Sequence, residues 1–485
     1  MAMTQPSTDM HRPGRQTQRD AYGLEITVRS PRALDLYNQG VECLLGFGEG
    51  AARHFEAAVQ IEDDFALAHA MRGVCHYLEE RVSEARAAID TAQGHIGRLC
   101  RREQRHLQAL ALWISGRASD AASLIREHLQ EHPRDITLVQ RLFFIEFWRG
   151  GFPAILDLTS SVVDHYPDDT YMLGMHAFAL EEMRRFEKAL PLAEASLALN
   201  PKNAWAIHTM AHLLYEQGDN SAGIAFLPTA VARCNHIGYF RTHLIWHLTL
   251  FHLATGEYTR AMACYHEGIR ARGFQMPQEL HDAISLMWRQ WLSGKEFGPV
   301  WSDLAAFARQ RLTKPNLLFH DLHLTMALAA VGDFDAIEQQ RGILRRRAEK
   351  TRASVISEVG LPLLEGLAAY ARGDYHQTIA AVEPIQHRII EVGGSNAQRE
   401  VFHDTLLEAY LRAGEMECAE SVLQQRLEHR PTAGRWWYRL GQAQAARQLD
   451  AEARASLQRV LNLWQHADAD APERLRAESL LASLN

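Results

Sequence analysis

The sequence is poor in lysine and in cysteine, and both shortages limit what the protein can be. Of 51 basic side chains only five are lysines, at positions 188, 202, 295, 314 and 350, and the rest are arginines. The six cysteines lie at positions 43, 75, 100, 234, 264 and 418 and form no C-x-x-C pair. Such irregular spacings exclude a zinc knuckle and a disulfide framework. We therefore expect buried free thiols in a reducing, cytoplasmic environment.

Long apolar runs are also missing. No stretch approaches the roughly 18 apolar residues that a membrane-spanning helix requires, so we expect a soluble protein with no membrane partner. The first twenty residues contain no apolar segment of the kind that forms a secretory signal. We predict a disordered N-terminal tail over residues 1–30.

The charge balance and the absent motifs exclude several functional classes. Acidic side chains outnumber basic ones by 59 to 51, which gives a formal net charge of −8. A protein that grips a nucleic-acid backbone normally carries a net basic face, so we expect no nucleic-acid partner. The chain contains no G-x-x-x-x-G-K-[ST], H-E-x-x-H or G-x-S-x-G motif. The common phosphate-loop, zinc-protease and serine-hydrolase classes are therefore not indicated.

A repeat is the strongest signal that the sequence does contain. Pro133, Pro167 and Pro201 are each 34 residues apart, and each follows an apolar helical pattern. Later turns share a G-x-Y-x-x-A-like pattern: GEYTRA at 256–261, GDFDAI at 332–337, GDYHQT at 373–378 and GEMECA at 414–419. A 34-residue period with a helix-ending proline is typical of tetratricopeptide repeats.

The repeat predicts an all-α fold, a tetratricopeptide-repeat superhelical solenoid of about twelve helix pairs. We expect residues 31–485 to form a single helical-repeat domain, with longer, irregular units near 270–320 and 340–400. Those longer units would close the concave groove around a ligand pocket. An open groove would instead accommodate an extended peptide.

Histidines are grouped at helical spacing within this pattern. His208 and His212 form one i,i+4 pair, and His243 and His247 form a second pair one repeat later. Side chains four residues apart share a helix face, with Cβ atoms about 5–6 Å apart, as in helical zinc sites. In the repeat register, at least three of these histidines fall on groove-facing positions of first helices. The pattern favours a ligand pocket or metal site, with plain groove polarity as the alternative.

Acidic residues are candidates to complete such a site. Asp321 and His323 lie two residues apart, so a straight helix directs at most one of them at the histidines. Glu182 and Glu216 end first helices, where they are either ligands and general bases or solvated side chains. A bound divalent transition metal would be zinc, iron or manganese.

A second motif, G-G-S-N-A-Q-R, occupies residues 393–399. Gly393 and Gly394 suit the end of the preceding helix, and Ser395 with Gln398 predicts a capping box that opens the next one. Arg399, with Asn396 beside it, is the substrate-binding candidate. The Arg399 guanidinium would either bind an anionic group or pair with an acid.

Several of these blocks resemble the tetratricopeptide repeat protein 38 family, in the form of a bacterial member. The blocks are N-P-K-N-A-W-A-I-H-T-M-A-H at 200–212, His243 to His247 with G-E-Y at 256–258, L-L-F-H-D-L-H at 317–323, V-G-L-P-L at 359–363 and G-G-S-N-A-Q-R at 393–399. The resemblance covers residues 33 to 430. It implies a soluble helical-repeat protein and no particular reaction.

The sequence thus predicts a histidine-lined groove pocket that binds a small ligand, through a metal ion or without one. Metal-assisted hydrolase or lyase chemistry is the class to test if the pocket is catalytic. The alternative is a scaffold that binds a peptide or protein partner in an open groove. A homodimer formed through the C-terminal repeats is a further possibility.

Overall fold

A computed structural model describes residues 16–314, 317–352 and 354–484. The chain divides into two compact units. The first unit contains residues 16–143 together with Asp164–Tyr166, and the second contains residues 144–163 and 167–484. Our prediction of one continuous domain over residues 31–485 differs from this division, which local repeat patterns do not reveal.

The first unit begins with a β-hairpin and continues as consecutive helices, the last of which crosses into the second unit. Its elements are β1 (Thr17–Arg19), β2 (Glu25–Thr27), α1 (Pro31–Leu45), α2 (Ala51–Ile61), α3 (Ala66–Leu78), α4 (Val82–Gly94), α5 (Arg101–Ile114), α6 (Ala118–Glu131) and α7 (Ile136–Phe147).

The hairpin corrects part of the predicted disordered tail. Its two strands pair antiparallel, with Gln18 opposite Ile26. The Glu103 carboxylate, far along the chain on α5, accepts hydrogen bonds from the Thr27 N–H at 2.7 Å and the Thr27 hydroxyl at 2.6 Å. This long-range contact has no local sequence signature. The sequence pattern therefore predicted a disordered tail that extends too far along the chain. Residues 1–15 of the predicted tail lie outside the described residues.

The second unit is built from helices alone among its described residues. They are α8 (Phe152–Val162), α9 (Thr170–Glu182), α10 (Phe186–Leu199), α11 (Ala204–Glu216), α12 (Asn220–Ala232), α13 (Tyr239–Ala254), α14 (Tyr258–Cys264), α15 (Pro277–Leu292), α16 (Gly298–Arg311), α17 (Leu318–Ala330), α18 (Phe334–Thr351), α19 (Leu361–Ala371), α20 (Tyr375–Val382), α21 (Asn396–Ala413), α22 (Met416–His429), α23 (Gly434–Ala446), α24 (Asp450–Leu463) and α25 (Pro472–Ser483). The described chain thus holds 25 α-helices, and the predicted all-α fold is confirmed.

Irregular helical segments occur within or just before the stretches, 270–320 and 340–400, where longer units were expected. The chain forms π-helical turns at Tyr265–Ile269 and Ile356–Gly360, and a 3₁₀ helix at Glu383–Val392. Regular pairs elsewhere follow the repeat, because each pair packs against the next and buries an apolar stripe. None of the described helices combines the length and the apolar character that crossing a membrane requires.

Helix α21 departs from simple pair-on-pair stacking within the second unit. It lies against α15 as well as its sequence neighbours. The Trp288 indole N–H on α15 donates to the Thr405 hydroxyl on α21 at 2.9 Å, and Phe402 on α21 packs against Phe319 on α17. Helix α21 therefore covers part of α15 and of α17.

The first unit contains its own buried polar cluster around Asp135. One carboxylate oxygen lies 2.9 Å from His106 Nδ1, 3.0 Å from His128 Nε2 and 3.0 Å from the Arg102 guanidinium. All four side chains are buried. Burial alone would raise the pKa of Asp135, but the imidazoles and Arg102 hold it well below its usual range.

We predict that Asp135→Asn destabilises the protein and flattens its response to acid. Removing one member of a buried charge pair costs about 3–5 kcal/mol, because Arg102 keeps its charge without a partner. The folded-state pKa of Asp135 lies below the unfolded value of about 3.9, so its contribution is full above that value and is lost as the pH falls below it. Thermal unfolding at about pH 7 and about pH 2.5 measures both effects, since the second pH lies below the unfolded pKa.

Asp120→Asn on α6 is the matched control, since Asp120 is half exposed and pairs only with exposed Arg117. Its stability should stay within about 0.5 kcal/mol of the parent. Equal melting temperatures for Asp135→Asn and the parent at pH 7 would contradict the role assigned to Asp135.

Candidate functional site: a buried histidine and glutamate cluster

Four histidines from two neighbouring first helices meet inside the second unit. Helix α11 begins after Asn203, whose side-chain oxygen accepts from the backbone N–H groups of the first turn. That start places His208 and His212 one turn apart on the buried face of α11. Helix α13 presents His243 and His247 to them.

The imidazole rings form one compact group, which we name the histidine cluster. Its members are His208, His212, His243 and His247. The ring centroids lie 4.4 Å apart for His208–His212, 4.7 Å for His212–His247, 4.8 Å for His243–His247 and 4.9 Å from His208 to both His243 and His247. Each ring of the sequence-predicted metal set therefore contacts at least two of the others.

A hydrogen-bonded chain fixes the orientation of one side of the cluster. Asp282 on α15 accepts from His243 Nδ1 at 2.9 Å, and His243 Nε2 lies 3.1 Å from His208 Nε2. With both rings neutral, the His208 Nε2–H donates a hydrogen bond to the lone pair of His243 Nε2. His208 Nδ1 then carries a lone pair, and that atom is buried with no hydrogen-bond partner.

Two glutamates lie on the other side of the cluster. His212 Nδ1 is 3.3 Å from the Glu181 carboxyl and 3.6 Å from the Glu182 carboxyl, and both acids come from the end of α9. Both carboxyl groups are fully buried. The solvated alternative considered for Glu182 is therefore wrong, because the start of α21 covers this end of α9.

Several polar atoms in this region have neither a hydrogen-bond partner nor access to water. They are His208 Nδ1, both ring nitrogens of His212 and of His247, and both carboxyl oxygens of Glu181. A buried polar atom without a partner costs about 1–3 kcal/mol. Seven such atoms in one cluster are therefore unusual in a folded protein, and they call for a shared partner.

Burial sets the protonation of the cluster. Desolvation lowers the pKa of His208 and His247 well below the ordinary histidine value, and it lowers the pKa of His212 to about 4. Burial and the adjacent Glu181 raise the pKa of Glu182 to about 8, against the opposing effect of Arg399. The imidazoles of His208, His212 and His247 are thus neutral at pH 7, which is the form that ligates a metal ion.

Two groups of three side chains in this region could hold a metal ion. One ligand atom each from His208, His212 and His247 lies within 4.8 Å of the others, and the same holds for Glu181, Glu182 and His212. Two nitrogens bound to one Zn²⁺ at about 2.0–2.1 Å can be no more than about 4.2 Å apart. Small side-chain rotations would therefore bring the three imidazoles into coordination range.

Sequence reasoning missed Glu181, His281 and Asp282. His281 Nε2 lies 3.1 Å from Asp282 Oδ1, and His281 Nδ1 lies 2.7 Å from His320 Nδ1. A repeated His-Asp dipeptide was available as a signal, because it occurs at 281–282, 320–321 and 403–404. Glu181 offered no comparable signal, since a helix-end glutamate usually faces solvent.

The remaining predicted residues lie apart from the four histidines. Asp321 pairs with Arg347 at 2.7 Å, so it does not complete the histidine cluster. His323 stacks near His281, with ring centroids 5.3 Å apart, and contacts the cluster only through His281 and Asp282. Glu216 lies 3.4 Å from Arg184.

The two substrate-binding candidates at the start of α21 hold that helix on α9. The Asn396 backbone N–H donates to the Glu182 carboxylate at 3.0 Å, and the Asn396 amide donates to the Glu182 carbonyl at 3.1 Å. Arg399 lies 3.5 Å from the same carboxylate, with 4% of its side chain exposed. Two roles were considered for Arg399, binding an anionic group and pairing with an acid. The structure shows the second, with Glu182 as the acid.

Gly393 and Gly394 make this close approach possible. The 3₁₀ helix before them ends at Val392, and Ser395 with Gln398 forms the capping box expected from the sequence. Gly394 has a φ of +80°, and a Cβ there would lie 2.6 Å from the Phe319 ring. Any larger residue would push the start of α21 away from Glu182 and α17.

Three stretches of the chain match tetratricopeptide-repeat family models. They are residues 45–97, 180–233 and 405–472. The second stretch includes Glu181, Glu182, His208 and His212. The predicted tetratricopeptide-repeat fold is confirmed.

Solved structures of the human IFIT1 protein are similar over most of the chain. The IFIT1 dimer with PPP-AAAA is 12% identical, with a TM-score of 0.40 over 92% of this chain and 97% of that one. The monomeric IFIT1 mutant with Gppp-AAAA is also 12% identical, with a TM-score of 0.38 over 92% and 98%. Similarity at this level concerns the helical-repeat architecture and carries no argument about function.

We predict that Gly394→Ala destabilises the protein more than Gly414→Ala. Both glycines have a positive φ, so each alanine carries about 1–2 kcal/mol of left-handed backbone strain. A Cβ at position 414 meets nothing within 4 Å, whereas one at 394 collides with Phe319. Overpacking adds about 1–3 kcal/mol at position 394. Denaturant unfolding of the two variants measures the difference, and equal midpoints would contradict the tight docking of α21.

Proposed function

We propose that the second unit is a metal-binding module that holds one divalent transition metal ion. His208, His212 and His247 would supply three nitrogen ligands, and Glu181 or Glu182 would supply a carboxylate. The observation that carries the proposal is the group of buried, unpartnered lone pairs within 4.8 Å of one another. A single cation would bind one ring nitrogen of each of these histidines and would stabilise the ionised form of the nearby carboxyl groups.

The donor set favours particular metals. Neutral imidazoles suit zinc and iron(II), whereas manganese prefers a site richer in oxygen ligands. Three imidazoles with one carboxylate fit a four-coordinate Zn²⁺ centre, and a second carboxylate would serve a higher coordination number such as that of Fe²⁺. Zinc and iron(II) are therefore the expected ions.

His243 and Asp282 would orient the site without binding the metal. Metal-binding histidines commonly donate their second ring N–H to an acceptor that fixes the ring. Here His208 reaches the Asp282 carboxylate through His243, over contacts of 3.1 and 2.9 Å. Burial raises the pKa of Asp282, but the imidazoles of His243 and His281 more than offset this effect and hold it below its usual range.

We propose metal binding at this site without hydrolase or lyase chemistry. His208, His212 and His247 are at most 2% exposed. A substrate needs access to an open coordination position, and these side chains offer none at the protein surface. A structural or stored ion fits this burial better than a reacting one.

The alternative of an open peptide-binding groove has less support. Tyr215 on α11, Trp288 on α15 and Phe319 on α17 all contact α21 side chains. An extended partner would have to displace α21 from these inner faces. The expectations of a homodimer and of no nucleic-acid partner stay predictions.

The sequence blocks that resemble the tetratricopeptide repeat protein 38 family include residues of the proposed metal site. These blocks lie at residues 200–212, 243–247, 317–323 and 393–399. Contacts among His208, His243 and Asp282, and between Glu182 and Asn396, bring several of these blocks into one region. A shared buried site would give one physical reason for such residues to occur together.

We predict about one zinc or iron ion per chain in protein purified without a chelator or a histidine tag. His212→Gln should lose most of that metal, because His212 belongs to both candidate ligand groups. His243→Ala should weaken metal affinity by about 10–100-fold, as expected for a residue that orients a ligand. Inductively coupled plasma mass spectrometry measures the metal content of each variant.

His252→Gln is the matched control on the same helix as His243 and His247. His252 is buried and pairs with Glu257 at 2.8 Å, outside the histidine cluster. It should keep the parent metal content. A folded parent that binds no metal, or a His212→Gln variant that keeps all of it, would overturn the proposal.

We also predict that removing the metal lowers the melting temperature of the parent protein. An ion that binds only the folded state stabilises it by about 2.7 kcal/mol at a concentration 100 times its Kd. Dialysis against a chelator should therefore lower the melting temperature, and added zinc should restore it. His212→Gln should show no comparable change, and a parent melting temperature indifferent to both treatments would contradict the proposal.

A further inference from the structure

Two adjacent glutamates end α9 beside the histidine cluster, and their surroundings differ. The carboxyl groups of Glu181 and Glu182 lie 3.3 Å and 3.6 Å from His212 Nδ1, so either one is close enough to share a metal ion with that nitrogen. Consecutive residues of a helix point about 100° apart, so the two side chains do not occupy equivalent positions. The partners that each carboxyl group already has therefore decide which of them is available to an ion.

Glu182 is committed to the start of α21. The Asn396 backbone N–H lies 3.0 Å and 3.1 Å from its two carboxylate oxygens, and the Arg399 guanidinium lies 3.5 Å from one of them. Arg399 is itself held in place, because it donates to the Gly394 carbonyl and, at 2.6 Å, to the Asn396 side-chain oxygen. The charge of Glu182 is thus compensated within the protein. To bind a metal ion, Glu182 would have to give up contacts that dock α21.

Glu181 has no such commitment. Both of its carboxyl oxygens are buried without a hydrogen-bond partner among the described residues. The shortest contact given for it is the one to His212 Nδ1, a nitrogen that also has no hydrogen-bond partner. A buried carboxylate is normally paired with a cation or binds a metal ion. Glu181 therefore carries the lone pairs that an ion bound to His212 can use.

The other polar groups around the cluster are also engaged. The Asp282 carboxylate contacts His243 at 2.9 Å through one oxygen and His281 at 3.1 Å through the other. His243 in turn contacts His208 through its second ring nitrogen. The donors that remain for an ion are one nitrogen each from His208, His212 and His247, together with the Glu181 carboxylate. Three imidazoles and one carboxylate make a set of four.

We propose that Glu181, and not Glu182, is the carboxylate ligand, and that the centre is a four-coordinate one suited to Zn²⁺. Glu182 is then a positioning residue. Its contacts with Asn396 and Arg399 hold the second carboxylate on α21, so the ion gains no fifth protein ligand. Both assignments rest on the proposed metal site in the histidine cluster, and they add to it the fourth ligand and the coordination number.

Cobalt(II) substitution tests the coordination number on the full-length protein. Four-coordinate Co²⁺ absorbs visible light far more strongly than six-coordinate Co²⁺. We expect the metal-free parent to develop intense visible bands that saturate at one equivalent of cobalt chloride. A weak, six-coordinate spectrum would overturn the four-coordinate centre and leave metal binding intact. A parent that binds neither cobalt nor zinc would overturn the proposed function and both assignments with it.

Two variants separate the roles of the glutamates. Glu181→Gln keeps the size of the side chain and removes the carboxylate. It should change the cobalt bands and weaken zinc binding by more than the 10–100-fold that is typical of a residue that only orients a ligand, that is, by at least about 100-fold. Glu182→Gln keeps an oxygen that accepts from Asn396. It should retain the parent cobalt spectrum and lose at most about 10–100-fold in zinc affinity. Competition with a chelator measures the zinc affinities.

Glu216→Gln is the matched control, because Glu216 ends α11 as Glu182 ends α9. It pairs with Arg184 at 3.4 Å and belongs to neither group of candidate ligands. Its cobalt spectrum and zinc affinity should equal those of the parent. Parent-like affinity and spectrum in Glu181→Gln would overturn the assignment of Glu181. If Glu181→Gln fails to fold, the Glu182→Gln spectrum still decides, since a changed spectrum there would make Glu182 a ligand and overturn the proposal.

Discussion

Desolvation of polar side chains on the inner faces of first helices is the constraint on which the second unit depends. Stacked helix pairs ordinarily bury apolar stripes, but α9, α11, α13 and α15 also bury glutamate, histidine, aspartate and arginine side chains. Each such group loses its hydration when the repeats stack. The fold is stable only if partners within the unit, or ligands, replace the lost water. The geometry of the histidine cluster follows from this requirement.

Helix α21 is the element that imposes the desolvation. Without it, the inner faces of α9, α11, α15 and α17 would form the water-filled groove that the repeat pattern suggests. The Asn396 contact to Glu182 closes one end, and the Trp288–Thr405 and Phe319–Phe402 contacts extend the closure along the helix. Gly394 allows the chain to pass close enough to Phe319 for this docking. A groove suited to peptides thereby becomes a closed polar interior.

Local sequence patterns predicted the parts of this arrangement that depend on local spacing. The prolines at 133, 167 and 201 reveal the repeat, and the i,i+4 spacing places His208 with His212 and His243 with His247 on shared faces. The contacts of Glu182 with Asn396 join residues 214 positions apart, and those of His243 with Asp282 join residues 39 apart. A glutamate that ends a buried helix and one that ends a solvated helix look alike in sequence. Only the docking of α21, a long-range event, distinguishes them.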